Sequence, residues 1–536
     1  MEGRYTASTE SNPPNETQSQ QAFVTLHEFA VESETRSRKC HTIAEFESSA
    51  DVLLHAHDRG HILFMQGYPS PEWLAAIGAK YDVDPIFFHG HLAPKNPASP
   101  DFDCPPIPSA ALSMMHLRVT TLGHSAVGAL LALQQGDIER ARARVHAITA
   151  KNQNIIGSAL NNHALGDSIM REAWVLDKNY FLIEQDISIC VLSTGKSWTG
   201  TFRIVLCCLS DHYIAIVWLD SGHSLDGDPY SKLTAALFTD TQKSLVKCLP
   251  TIQYHEGSLR SRIRHLVETT EARPVAISDL HLHQSASLLC QDYGLGLRAE
   301  LASKDSFYAL TDLLKFVASS EWHFLNLLEA KLEQELQPRL STLGENMNLI
   351  NVLYYRNILE RHSCRVQENL ATIESIEAQS WPVLPESSPA DRQTSVHTRR
   401  RLAEDFQSIA QRINRLKDRS QSGMQIMMFD ASIKESKKAI EQAQEVTNLT
   451  RLAFIFIPLS FLASLFGMNF REFGTGKLSL WTWAAVSGPV LLLSLMLIMR
   501  DRMIVQLRRW KSRKRFRAHV QFVNGFDLDD MRQALP

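Results

Sequence analysis

Two long apolar runs near the C-terminus dominate the hydrophobic pattern of this chain. The first covers residues 452–470, which are uncharged and mostly apolar, and finishes on the tripeptide Gly-Met-Asn at 467–469. A run of this length spans the roughly 30 Å hydrocarbon core of a bilayer at about 1.5 Å per residue. A second run, 478–499, follows after the short connection 471–477. The pattern predicts that the chain crosses a membrane, turns and returns.

Helical spacing of apolar residues precedes the first run. It indicates one helix over about 310–328 and a second over 349–376. The Pro- and Ser-rich segment 380–391 then separates this pair from the proline-free stretch 394–450. Within that stretch, apolar residues step 4-3-4-3, a heptad seam that packs against neighbouring helices. A helix this long buries too little to stand alone in water, so we expect partners, most simply copies of itself. The seam consists of Leu402, Phe406, Ile409, Ile413 and Leu416.

The N-terminal part has a mixed pattern. Residues 1–20 are polar and lack core formers, so they are predicted to be disordered. A strand is predicted at 61–65 and a helix at 72–81, after a Pro-Ser-Pro turn. The runs ISICVLS, TFRIVLCCLS and HYIAIVWLD, between about 180 and 220, indicate a sheet with helices around it. The predicted organisation is an α+β cytosolic domain (21–300), a helical region with a long stalk helix of about 394–451 (301–451), two transmembrane helices (452–499) and a basic cytosolic tail (500–536).

Charge is informative only locally. The formal net charge of -3 gives no general reason to expect nucleic acid as a partner. Basic residues near the ends of membrane spans stay on the cytosolic side, so both termini are predicted in the cytosol and the connection 471–477 outside. The basic tail is expected to contact lipid headgroups rather than nucleic acid. The plasma membrane is the expected location, with an organelle membrane as the alternative. The flanking bases are Lys434, Lys437, Lys438 and Arg451 before the first run, and Arg500, Arg502, Arg508, Arg509, Lys511, Arg513, Lys514, Arg515 and Arg517 after the second.

Cysteines and the N-terminus agree with this placement. The eight cysteines are scattered, with no Cys-x-x-Cys pair and no histidine at zinc-finger spacing, as expected of reduced cytosolic thiols. The N-terminus has no apolar signal segment, and Glu2, Glu10 and Glu16 are unlike a transit peptide. The two C-terminal runs are therefore expected to act as the insertion signals.

One face of the first run is small and mildly polar. Its members recur at i+3 or i+4, while Phe454, Phe456 and Phe461 point in other directions. This pattern is expected of a helix that lines a pore. An alternative is that small residues merely let helices pack closely, and in a ring of helices both hold at once. The predicted pore-lining residues are Thr450, Ala453, Ile457, Ser460, Ser464 and Gly467.

Over about 449–499 the sequence resembles the CorA family of magnesium channels. The resemblance is carried by Pro458 within the first run, Phe461, the signature Phe-Gly-Met-Asn-Phe at 466–470, the second run and the basic tail. It implies a homopentamer, a funnel of cytosolic domains and a pore lined by five copies of the first span. The acidic residues that bind regulatory magnesium in that family have no motif by which to place them in this chain.

The predicted selectivity motif is Gly467, Met468 and Asn469. Magnesium is a hard ion that dehydrates reluctantly, so a site that takes it from water does best to contact its hydration shell. A ring of Asn469 amides with Gly467 carbonyls offers neutral oxygen acceptors to the hydrated ion without a deep trap. Ile457, and further back Leu449 and Val446, are candidates for apolar collars that close the pore by dewetting.

The connection after the signature departs from the family. Members often continue Met-Pro-Glu, whereas this chain has Arg-Glu-Phe-Gly-Thr-Gly-Lys at 471–477, with Glu472 as the single candidate for attracting cations. A carrier of Zn²⁺, Ni²⁺ or Co²⁺ of the ZntB type is therefore a second hypothesis, although that type usually has a different signature. A non-conducting, membrane-anchored sensor or scaffold is a third.

No enzyme is predicted, because neither a Ser-His-Asp arrangement nor a pair of catalytic carboxylates stands out, and no cofactor is expected beyond the transported ion. The segment 193–197 ends like a phosphate loop but lacks its first glycine, so a hairpin turn is favoured. The pairs His89/His91 and His281/His283 have ligand-like spacing without a third ligand, which favours surface or core histidines.

Overall fold

The computed structural model describes residues 22–29, 36–55, 60–93, 113–125, 135–155, 164–193, 213–222, 246–251, 284–294, 296–336, 345–375, 381, 388–467, 479, 481–496 and 499–500. It divides into two compact units, with the boundary between Met424 and Gln425. The predicted disordered segment 1–20, the predicted strand at 201–210, the turn at 194–197, His281 and His283, and the tail beyond Arg500 lie outside the described residues.

An eight-stranded mixed sheet organises the first unit. Its order is β2-β1-β3-β7-β6-β4-β8, with β5 paired to β6. The β3–β7 pair is parallel and the other described pairs are antiparallel. This confirms an α+β domain before the long helix. The strands are β1 (Val24–Glu28), β2 (Arg36–Cys40), β3 (His61–Gln66), β4 (Met114–Ser125), β5 (Glu172–Val175), β6 (Tyr180–Ser193), β7 (Tyr213–Leu219) and β8 (Val246–Cys248).

Central strands of this sheet are buried on both faces. All seven residues of β7 are buried, which explains why it reads as a continuous apolar run rather than an alternating one. Helices α1 (Ile43–His55), α2 (Pro71–Tyr81) and α3 (Pro85–Leu92) cover one face and share a core with β3 and β7. The predicted strand at 61–65 and the predicted helix at 72–81 are therefore confirmed as β3 and α2.

The start of α2 follows from local chemistry. Ser70 is extended, its hydroxyl oxygen accepts a hydrogen bond from the Trp73 amide at 3.4 Å, and Pro71 occupies the first turn, where its missing N–H costs nothing. The helix ends at Asp82, which adopts a left-handed backbone with φ 52°. The Pro-Ser-Pro turn seen in the sequence thus positions the helix that carries Trp73 into the core.

Long helices follow the sheet. The predicted helices at 310–328 and 349–376 are confirmed as α8 and α9. Helix α8 continues beyond the predicted end to Leu336, and α9 begins before the predicted start, at Glu345. The remaining helices are α4 (Gln135–Ile155), α5 (Leu289–Asp292) after a 3-10 turn (Ser285–Leu288), α6 (Ala299–Ala302), α7 (Ser306–Ala309), α8 (Thr311–Leu336), α9 (Glu345–Ser375), α10 (Pro389–Gly467) and α11 (Trp481–Met496).

Helix α10 begins earlier than predicted, inside the Pro- and Ser-rich segment. The Ser388 hydroxyl oxygen accepts a hydrogen bond from the Asp391 amide at 3.1 Å, and Pro389 follows it at the first helical position. Because proline is favoured at that position, the segment that was predicted as a break starts the helix instead. Farther along, the buried Ser395 hydroxyl donates to the carboxylate of Asp305, which ties this end of α10 to α7.

The heptad seam is buried within the single chain. All five of its residues are at most 3 % exposed, and all lie in the first unit. Ion pairs flank the seam on α8 and on α9: Arg412 with Glu329 at 2.6 Å, and Lys417 with Glu360 at 3.0 Å. The prediction that the seam packs against neighbouring helices is therefore confirmed, and for 402–416 the chain itself supplies α8 and α9.

A buried charge network links the sheet to these helices. Arg171 bonds Asp220 through Nε at 2.7 Å, and Arg118 bonds Asp186 at 2.6 Å and Glu184 at 3.1 Å. Burial alone raises the pKa of the Glu184 carboxyl, yet Arg365, His362 and Arg118 hold that pKa well below its usual range. Buried charges persist only when they are paired in this way.

His362 of α9 lies at the centre of this network. Burial lowers its pKa, but the carboxylates of Glu321 on α8 and Glu184 on β6 outweigh burial and raise it to about 9. The charges of the network also favour a protonated His362. The network has five carboxylates and four guanidinium groups, so an imidazolium at His362 makes its net charge zero. The acids are Asp186, Asp220, Glu172, Glu184 and Glu321; the guanidinium groups belong to Arg118, Arg171, Arg361 and Arg365.

Candidate ion-conducting helix

The second unit contains the C-terminal part of α10, from Gln425 to Gly467. Within it lies an 18-residue window that is long and apolar enough to cross a membrane, and none of this window is buried. It is the one described helix that meets this test. An apolar helix of this length with no cover requires lipid or other protein around it.

The predicted pore-lining residues share one side of this helix. At 100° per residue, Thr450, Ala453, Ile457, Ser460 and Ser464 fall within an arc of about 80°, and Gly467 extends it to about 100°. The Thr450 hydroxyl donates to the Val446 carbonyl at 2.8 Å, so its hydrogen-bonding capacity is partly met by its own helix. Ile457 is 68 % exposed and is the bulkiest side chain on the arc.

Large apolar side chains flank this arc. Phe454, Phe456, Phe461 and Leu465 are between 54 % and 64 % exposed. They give the rest of the helix surface a lipid-like character, whereas the arc carries two serines and a threonine. The two sides of α10 therefore differ in polarity as expected of a helix with lipid or protein on one side and an aqueous pore on the other.

Pro458 interrupts the hydrogen-bond ladder of this helix while the helix continues through it. A proline has no N–H, so the Phe454 carbonyl one turn earlier loses its usual partner. Within a membrane such a carbonyl is tolerated where neighbouring helices or water satisfy it. Pro458 directly follows Ile457, so the missing hydrogen bond lies in the part of α10 that carries the arc.

The signature tripeptide is described only at its first residue. Gly467 is the last residue of α10, while Met468, Asn469 and Glu472 lie outside the described residues. Their roles in selectivity and cation attraction remain predictions. The two other proposed collar residues, Val446 and Leu449, are 63 % and 68 % exposed on the described helix.

Among its described residues, the second apolar run is helical over Trp481–Met496 and again at 499–500. The described part 481–496 is by itself shorter than the 18 residues that the membrane-span test requires. The two-span arrangement therefore remains a prediction.

Sequence analysis missed an exposed apolar stripe in the part of α10 that precedes the membrane run. Ile426, Phe429, Ile433 and Ile440 are between 58 % and 70 % exposed and fall within about 60° of one another around the helix. Their spacing of three, four and seven residues was the available signal. It is hard to see because lysines and glutamates lie between them.

Candidate metal ligands do not cluster elsewhere. In the parts of the chain that the structure describes, no group of three or more His, Cys, Asp or Glu side chains is arranged to hold a metal ion. His91 is instead a core histidine: its Nδ1 lies 2.7 Å from the Ser188 hydroxyl, its Nε2 lies 3.0 Å from Asp220, and its ring stacks on Trp218. Burial lowers the pKa of His91, with Asp220 partly opposing this.

Comparison with known proteins finds a family match for the region that follows the sheet. Residues 299–500 match a family model described as CorA-like Mg²⁺ transporter protein. No curated protein matches the sequence. The complete structure of the CorA magnesium transporter from Methanocaldococcus jannaschii is a structural match with 11 % identity, covering 71 % of this chain and 98 % of that one, at a TM-score of 0.27. The family match extends from α6 through α11 and so takes in the whole candidate helix. The resemblance to the CorA family is therefore confirmed over residues 299–500.

Proposed function

We propose that this protein moves divalent cations across a membrane, with Mg²⁺ as the main cargo, through a pore lined by α10. The observation that carries the proposal is the arc of small and mildly polar residues on an otherwise apolar, uncovered helix that leads directly into Gly467. A helix that only anchors a protein in lipid has no need of a polar arc. Members of the matched family are transporters rather than enzymes, and transport needs no covalent chemistry.

A closed pore requires several copies of the chain. The arc of one helix is too narrow to enclose an ion, so we propose a homo-oligomer, a pentamer by analogy with the family, in which each copy contributes its arc to the centre. The exposed stripe Ile426, Phe429, Ile433 and Ile440 lies about 130° around the helix from the arc and gives neighbouring copies apolar surface to bury. In this proposal both apolar runs cross the membrane and both ends of the chain lie in the cytosol, as the flanking basic residues predict.

Ion selection is assigned to the outer end of the arc. Asn469 amides and Gly467 carbonyls are proposed to contact the hydrated ion, with Met468 between them, and Glu472 is the acidic group closest in sequence to the mouth. An inside-negative potential supplies about 2.3 kcal/mol per charge per 100 mV, and a divalent ion gains about twice that. Entry into the cytosol therefore needs no other energy source.

One specific feature favours a second cargo. The connection 471–477 carries two positive charges and one negative charge, which weakens cation concentration at the mouth. Transport of Zn²⁺, Ni²⁺ or Co²⁺ is the alternative that this feature keeps open. A sensor or scaffold that does not conduct is the alternative from another class.

The test is cation uptake by the full chain in liposomes, with Mg²⁺, Zn²⁺, Ni²⁺ and Co²⁺ offered separately under an inside-negative potential. We expect saturable Mg²⁺ uptake that collapses when the potential is removed. Uptake of Zn²⁺ without Mg²⁺ would replace the cargo and keep the pore. No uptake of any of the four ions would favour the scaffold.

A further inference from the structure

A half-open groove lies between α8 and α10 in the first unit. Its volume is about 530 Å³, within the range of small-molecule sites, which is about 300–1,000 Å³. Side chains from both helices line it. The lining residues are Trp322, Asn326 and Glu329 of α8 and Arg412, Arg415, Leu416 and Arg419 of α10.

The groove is positively charged. Its lining has three arginines and one glutamate, and that glutamate, Glu329, is already bonded to Arg412 at 2.6 Å. Arg415 is exposed and forms no hydrogen bond or ion pair with any other described residue. Arg419 pairs with Glu333 at 3.0 Å, but both side chains are nearly half exposed, and such surface pairs hold weakly. Two guanidinium groups are thus available to an anion.

The three arginines form one line along α10. Residues 412, 415 and 419 are separated by three and four positions, so they share a face of the helix and extend over about 10 Å. Guanidinium groups bind phosphate oxygens through paired hydrogen bonds, which favours phosphate over a simple monovalent anion. A line of this length can contact several linked phosphate groups, whereas a single phosphate would reach only part of it.

Trp322 adds a flat apolar surface to the groove. The Arg412 guanidinium covers it at 4.5 Å from the ring centroid, yet 42 % of the residue is still exposed. A buried tryptophan needs no further partner, whereas a half-exposed one beside these arginines offers stacking to an aromatic ring. Asn326 supplies an amide that both donates and accepts hydrogen bonds at the edge of such a ring.

We propose that this groove binds a nucleoside polyphosphate, with the base against Trp322 and the phosphates on Arg415 and Arg419. A free inorganic polyphosphate shares the anionic chemistry but makes no use of the indole. The proposal concerns a second site and does not depend on which cation the protein transports, or on whether it conducts.

The test is equilibrium dialysis of radiolabelled ATP against the full chain in detergent micelles, with a chelator present and inorganic tripolyphosphate and adenosine as competitors. We expect saturable ATP binding. The variant R415Q/R419Q should weaken it by roughly a hundredfold, since each contact to a charged phosphate contributes about a factor of ten or more. W322L should lower the affinity for ATP by roughly five- to a hundredfold and leave the affinity for tripolyphosphate unchanged.

R400Q is the matched control, because Arg400 lies on the same helix, is 79 % exposed in its side chain and pairs with Glu404 outside the groove. It should bind ATP as the wild type does. All substituted side chains are at least partly exposed, so the unfolding temperature should not change. The proposal is overturned by absence of saturable ATP binding, by R400Q weakening it as much as R415Q/R419Q, or by W322L leaving ATP affinity unchanged.

Discussion

Nδ1 of His362 lies 2.8 Å from a carboxylate oxygen of Glu321, and both side chains are at most 5 % exposed. The contact joins α9 to α8, and the other ring nitrogen lies 3.3 Å from Glu184 of the sheet. The ring also stacks on Phe324 at 4.2 Å between centroids. One histidine therefore holds the sheet and two helices that flank α10, and it does so as an imidazolium.

Replacing this histidine should change how stability depends on pH. The pKa of His362 is raised from 6.5 to about 9, so its contribution is complete below 6.5 and is lost as the pH rises through about 9. A rise of this size corresponds to roughly 3 kcal/mol. H362Q should be less stable than the wild type near pH 6.5, and the difference should shrink toward pH 9.5.

The measurement is the unfolding temperature of the full chain in detergent from pH 6.5 to 9.5. H323Q is the control, because His323 is on the neighbouring helix and burial lowers its pKa, so it stays neutral over this window. If wild type and H362Q lose stability in parallel between pH 7 and 9.5, the imidazolium assignment is wrong.

Removing one charge of the Arg171–Asp220 pair should strongly destabilise the fold. Both side chains are at most 2 % exposed, and two hydrogen bonds of 2.7 Å and 2.9 Å join them. Breaking a buried pair leaves an uncompensated charge, which costs roughly 3–5 kcal/mol. D220N should therefore lower the unfolding temperature strongly at pH 7.

D51N provides the comparison, because Asp51 pairs with Lys80 at the surface and is 58 % exposed in its side chain. It should change the unfolding temperature little. Equal behaviour of D220N and D51N would mean that the buried pair is not a structural requirement.

These buried charges show what the sequence could not predict. The network draws residues from β4, β5, β6, α8 and α9 and from positions directly beside β5 and β7, and nothing in the spacing of Arg118, Glu184 or His362 relates them. By contrast, β7 and α2 were predictable, because an apolar run and a Ser-Pro cap are local signals. The start of α10 at Pro389 has the same kind of signal, but the surrounding prolines and serines are equally typical of a break between helices.

The seam of α10 shows a different limit. Its 4-3-4-3 spacing correctly predicted burial of Phe406 and Ile413 but not the identity of what covers them. Periodicity gives the face of a helix that is buried, whereas the partner depends on chain topology. The small arc around Ser460 was predictable for the same reason: all its members lie on one helix.

Substitution of Ile457 tests the proposed gate of the pore most directly. It is the bulkiest side chain of the arc, and a ring of such residues closes a narrow pore by excluding water. I457N should hydrate this collar, and we expect cation uptake into liposomes to rise at least severalfold and to lose its dependence on closing conditions.

L462N is the matched variant, because Leu462 lies roughly 140° away around the same helix. It should leave the rate of uptake close to that of the wild type. Unchanged uptake in I457N, or an equal rise in L462N, would remove Ile457 from the pore.

The most direct test of the pore is Mg²⁺ uptake by liposomes that contain the full chain with Asn469→Ala. N448A is the control, since Asn448 is an exposed asparagine on α10 that accepts a hydrogen bond from Arg451 at 3.3 Å and lies on the side away from the arc. The proposal predicts that wild type and N448A take up Mg²⁺ alike and that N469A takes up at least tenfold less. Equal uptake by N469A and the wild type would contradict it.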